Sequence, residues 1–147
     1  MIIENDTIFF PKELMSIKYN GKIIPNGKTH NLLKTGANCQ VFAYHILRLN
    51  GYKIPDYRSS ELWSDSEYSM VVNSDFQPLD ILFFNKNENP FGAHLAVYIG
   101  NNKAIHLAKH IGKPVIWTIE AFLELEKYPP RFRGKQVLIG GKRFEIL

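Results

Sequence analysis

The chain of 147 residues holds one cysteine, Cys39. A lone thiol forms no internal disulfide, which excludes the disulfide-scaffold class and fits a reducing compartment. No apolar run approaches the length of about 18 residues that a membrane-spanning helix needs. The N-terminal stretch MIIENDTIFFPKELM has Glu4 and Asp6 where a secretory leader carries positive charge, and no apolar segment follows them. The location expected from the sequence is therefore cytoplasmic, with any export by a non-classical route. Internal repeats, low-complexity tracts and linkers are also missing, so one domain over 1–147 is expected. A large charge excess is absent too: 18 Lys and Arg against 14 Asp and Glu give a net charge of +4. That balance favours anionic partners without choosing among them. The densest basic run, KYPPRFRGK at 127–135, interleaves Tyr128 and Phe132, a pattern able to stack bases. Its two prolines fit a solvated loop better, and no nucleic-acid motif accompanies it. No nucleic-acid partner is expected.

What is present is an ordinary globular composition, 45% hydrophobic and 22% charged. Residues 1–35 are rich in turn signals, with Asn-Gly in both YNGK and IPNGKTHN. From Asn38 the pattern changes. Cys39, Phe42, Ala43, Ile46 and Leu47 fall on one face of an amphipathic helix. Asn38 is a good N-cap, because its side-chain oxygen can accept from a free amide of the first turn. Gly51 is a good residue to follow the helix end, because a left-handed conformation costs it little. The helix is predicted over 39–50, with Cys39 on its first turn. A short helix near 59–65 and a strand at LDILFF, 79–84, are expected next. NKNENPFG, 85–92, reads as a loop. HLAVYIG, KAIHLAKH and KPVIWTI are three strand candidates. TIEAFLELEKY, 118–128, reads as a helix capped by Thr118 and stopped by Pro129 and Pro130. The last segment, KQVLIGGKRFEIL, reads as a strand or two broken at Gly140-Gly141. Helices followed by an antiparallel meander give an α+β domain with helices on one face of the sheet.

A thiol attacks well only as thiolate, and a helix N-terminus or a nearby imidazolium favours that form. Cys39 meets the first condition by position. The alternative is a small buried apolar residue, the commoner role of a lone cysteine. A nucleophile also needs a histidine, and a third group to hold its ring. There are five histidines. His45 points to another side of the Cys39 helix, and His30 sits in the turn-rich segment without a pattern. The hairpin HLAVYIGNNKAIHLAKH, 94–110, supplies the rest. A three-residue loop, Gly100-Asn101-Asn102, would pair Ile99 with Lys103 and set His106 opposite Ala96. His94 and His106 would then share a face, diagonal neighbours about 7–8 Å apart at Cα. A two-residue loop would place them on opposite faces. A zinc site from Cys39, His94, His106 and His110 matches no standard spacing, so no metal is expected.

These residues resemble the NlpC/P60 cysteine peptidases, a papain-like family. The family pattern G-x-D-C-S-G stands here as GANCQV, 36–41. PGDLVFF stands as PLDILFF, 78–84, with Asp80 matching. HVGIYLGNGKFIHA stands as HLAVYIGNNKAIHLA, 94–108, and this is the strongest match. The resemblance covers about residues 36–122. It implies an α+β, papain-like fold in which the helix bearing the nucleophile packs on an antiparallel sheet. Cys39 would be the nucleophile, His94 the general base, and His106 the residue that orients His94. It implies cleavage of an amide bond in peptidoglycan stem peptides, without a cofactor. An exported amidase toxin, an acyl-processing hydrolase and a silent binding protein of the same fold are the alternatives. Asn38 and Gln40 replace the family's Asp and Ser, residues that help hold substrate there. Tyr19 is the position to set against the family's upstream active-site tyrosine, but its separation from Cys39 is longer and the role is not carried over.

Overall fold

The computed structural model describes residues 8–28, 31–72, 75–84, 93–126 and 133–137, with side chains described as far as Phe122. His30, the loop at 85–92, residues 127–132 of the basic run and Gly140-Gly141 lie outside the described residues.

After a 3-10 turn at Lys12–Ser16, the helices are α1 (Leu32–Thr35), α2 (Cys39–Leu49), α3 (Ser59–Ser64) and α4 (Ile119–Glu126). The strands are β1 (Ser69–Val72), β2 (Ile81–Phe84), β3 (His94–Gly100), β4 (Lys103–Leu107), β5 (Pro114–Thr118) and β6 (Arg133–Val137). They form one antiparallel sheet in the order β1-β6-β2-β3-β4-β5. The expected meander is β2 to β5. The β1–β6 ribbon extends it beyond β2, and joins strands far apart in sequence.

Helix α2 starts where its cap predicts. Asn38 Oδ1 accepts from the Val41 amide at 2.8 Å, and Gly51 follows the helix end with φ 87°. Phe42, Ala43, Ile46 and Leu47 are all buried. They pack with Ile81, Phe83, Leu95, Val97, Ile105 and Leu107, one face of the sheet. The other face is not bare. Leu82, Phe84, Ala96 and Ala104 pack there with Phe122 of α4, and Phe84 stacks on Phe122 at 4.3 Å. Helices therefore cover both faces, which corrects the expectation of a single covered face. The cause is visible in β2, where all four residues are buried. A strand with an unbroken apolar run has two faces to cover.

The β3–β4 turn differs from expectation but keeps its consequence. Gly100 pairs with Lys103, so the loop has two residues, Asn101 and Asn102. Both carry positive φ, as does Gly100, and Asn and Gly tolerate that best. The two-residue loop alone would put His94 and His106 on opposite faces. A register shift between Tyr98 and Gly100 restores the pairing Val97↔Ile105. The extra residue at Ile99 acts as a bulge, and the two histidines return to one face.

The Asn38 cap can be weighed. Asn38→Ala removes an acceptor for a first-turn amide and is expected to cost about 1 kcal/mol in urea unfolding, whereas Asn38→Asp keeps the acceptor and the stability.

Candidate active site

Cys39 opens α2, and the segment before it is clamped. Ala37 forms a parallel bridge with Tyr19. The Ala37 amide donates to Lys18 O at 3.0 Å, the Asn20 amide to Ala37 O at 2.8 Å, and the Asn38 amide to Ile23 O at 3.0 Å. Gly36 makes this approach possible. Its φ is 76°, and a Cβ there would lie 2.5 Å from Lys18 O. The clamp holds Tyr19 beside the thiol. Burial pushes the Tyr19 hydroxyl pKa up, and negative charge on Cys39 adds to the rise. Sequence reasoning left Tyr19 unassigned. Contact between the two segments depends on the bridge and on Gly36, neither of which has a local periodic signature.

Burial also pushes the Cys39 thiol up from its ordinary range. Backbone hydrogen bonds from Leu95, Gln40 and Cys39 itself act the other way, followed by the charge of Arg58. The sequence predicts a depressed thiol pKa from the helix N-terminus. In the folded chain desolvation outweighs those aids, so the resting thiol is neutral. The bond to the Leu95 backbone ties Cys39 to β3, the strand that His94 opens.

His94 and His106 meet directly. His94 Nε2 and His106 Nδ1 are 2.8 Å apart, with ring centroids 5.0 Å apart at 82°. Both face the side of the sheet that carries Leu82 and Ala96, since paired residues Phe84↔His94 and Leu82↔Ala96 share a face. Burial, then the charge of His110, lowers His94 to about 4. His106 is 1% exposed. Burial, then the charges of His94 and His110, lowers it to about 2. Both rings are neutral at pH 7. His110 is exposed on the turn after β4, close enough for its charge to reach both rings. Among the described residues no group of three His, Cys, Asp or Glu side chains could hold a metal ion.

The remaining singled-out residues fall around this core. His45 is half-buried on α2, and burial lowers its pKa. Asp80 precedes β2 and is 2% exposed. Its Oδ2 accepts from the Gln77 amide at 2.8 Å, closing the turn that launches the strand. Gln40 is buried, and its Oε1 has no hydrogen-bond partner among the described residues. It borders the nucleophile position with a carboxamide where the family pattern has a serine hydroxyl.

Curated proteins give no significant match. Among solved structures, the chain is similar to the P60 domain of an antigen from M. avium subspecies paratuberculosis, at 16% identity, over 86% of this chain and 85% of that one, with a TM-score of 0.48. That likeness is too distant to add to the assignment. The model of the NlpC/P60 family matches residues 25–117. This span takes in Cys39, His94 and His106 and covers more than half the chain, and on it the chain belongs to the NlpC/P60 family.

Proposed function

We propose that the protein is a cysteine peptidase or amidase with Cys39 as nucleophile, His94 as general base and His106 holding His94. Members of the family are generally cysteine peptidases and amidases acting on peptidoglycan, and peptidoglycan stem peptides are the proposed substrate. The observation that carries the reading is the 2.8 Å contact between His94 and His106, at the start of the strand whose Leu95 backbone bonds the Cys39 thiol.

The chemistry follows from the resting charges. Thiol and imidazole are both neutral, so the proton moves from Cys39 to His94 as the sulfur attacks the carbonyl carbon. The positive charge forms on His94, whose ring is held by His106. The oxyanion is met by amides of the first turn of α2, where the helix dipole also favours negative charge. His94 then gives its proton to the leaving amine, leaving a thioester on Cys39. Water, losing its proton to His94, attacks the thioester. The acid is released and the thiol restored.

A catalytically silent binding protein is the second reading, and the burial that raises Cys39 favours it. Purified peptidoglycan treated with the wild-type protein is expected to release soluble fragments with new amino termini. Cys39→Ala is expected to release none. Equal release by both proteins would remove the wall-hydrolase reading.

A further inference from the structure

His106 has a second nitrogen, and its surroundings are unusual. The Nε2 atom is buried and has no hydrogen-bond partner among the described residues. Two aromatic rings lie against the imidazole. Trp117 of β5 is 4.5 Å away between centroids at 61°, and Phe122 of α4 is 4.6 Å away at 53°. The two rings also touch each other, at 5.3 Å and 67°. Phe122 is fixed from behind by its stack on Phe84. Phe122 lies beyond the residues that the family model matches.

A neutral imidazole carries one proton, on either nitrogen. Two arrangements fit the 2.8 Å contact between the histidines. In the first, His94 Nε2–H donates to His106 Nδ1, and the His106 proton sits on Nε2 inside the aromatic box. The Nδ1 atom of His94 then keeps its lone pair and can act as a base. In the second, His106 Nδ1–H donates to His94 Nε2. His94 then carries its proton on Nδ1 and has no lone pair to offer the thiol. The second arrangement also leaves the lone pair of His106 Nε2 buried without a donor, which costs desolvation with nothing in return. Aromatic faces are negative and rings accept weakly from N–H. They favour a proton on Nε2 and disfavour a lone pair there.

We infer that Trp117 and Phe122 are positioning residues that select the tautomer of His106, and through it hold the His94 proton on Nε2, so that the lone pair of the base lies on Nδ1. The inference rests on the proposed roles of His94 and His106. Its consequence is that the third member of the triad works as an acceptor only. The burial that keeps His106 neutral preserves this assignment at working pH.

Long-range proton–nitrogen NMR correlation on the 15N-labelled full-length protein at pH 7 reads the tautomer directly. His106 Nδ1 is expected to be unprotonated and Nε2 protonated. A proton on Nδ1 overturns the inference, and does so whether or not Cys39 is reactive. Trp117→Leu, at a half-buried site, is expected to give a mixture of His106 tautomers and to slow Cys39 alkylation by roughly two- to fivefold, the range for loss of one weak N–H to ring contact. Trp117→Phe is expected to restore both. In a His106→Asn background, where no tautomer exists, Trp117→Leu is expected to leave alkylation unchanged. An equal slowing in both backgrounds would mean that Trp117 is merely structural and would overturn the inference. Phe122→Leu should repeat the pattern of Trp117→Leu. If it unfolds the chain, the tryptophan variants decide alone.

Discussion

His94→Ala is expected to slow iodoacetamide alkylation of Cys39 at pH 6 by about 10²-fold or more, the range for loss of a general base. The reason lies in the resting thiol. Burial raises its pKa above the ordinary 9.0, so at pH 6 fewer than about one molecule in 10³ carries thiolate unaided. Reaction at that pH depends on a neighbour that takes the proton. In the proposed mechanism that neighbour is His94, whose pKa is lowered to about 4 so that the ring is unprotonated at pH 6. With its pKa about two units below pH 6 it is still a neutral base there, where an unperturbed histidine is already mostly protonated. His45→Ala is the control. That residue shares the helix with Cys39 and is half-buried, but has no part in the proposed triad, and its removal is expected to leave the rate unchanged. Equal rates for wild type and His94→Ala would show that His94 does not serve the thiol.

Gly36→Ala is expected to destabilise the fold by about 3 kcal/mol in urea unfolding, near the upper end of what single backbone sites store. Two effects combine. The backbone sits at φ 76°, ψ −171°, a region essentially reserved for glycine. The added Cβ would also meet Lys18 O at 2.5 Å. That oxygen accepts from the Ala37 amide, so it cannot retreat without breaking the bridge that holds Tyr19. Gly27→Ala separates the two effects. Gly27 has φ 79° but open space where its Cβ would go, so only the smaller conformational cost of about 1 kcal/mol is expected. Equal losses at the two glycines would mean that the close approach of residues 18–20 to Ala37 contributes nothing.

Much of the site is legible in the sequence because it is local. The start of α2 follows from Asn38 and the helical spacing of Phe42, Ala43, Ile46 and Leu47. Pairing of the two histidines follows from strand parity, although by a different turn. The sequence spacing points to a three-residue loop, whereas the chain uses two residues and a bulge at Ile99. Parity survives because each device shifts the register by one. What is not legible depends on distant contacts. Strand β1, Ser69–Val72, pairs with β6 across much of the chain, and its own residues are too few and too mixed to announce a strand. Coverage of the second face by α4 follows from Phe122 meeting Phe84, a contact no local pattern encodes. The direction of the Cys39 shift fails for the same reason. Helix position is local and argues for a lower pKa, while burial comes from the packing of the whole domain and argues for a higher one.

The central claim is that Cys39 is a nucleophile served by His94. It is tested most directly by the pH dependence of Cys39 alkylation in the intact wild-type protein. Protonation of His94 removes the base, so the rate is expected to hold from about pH 8 down to pH 5 and to fall only near pH 4, where His94 titrates. A rate that instead climbs about tenfold per pH unit up to and beyond pH 9, as an unassisted, partly desolvated thiol would show, would contradict the account.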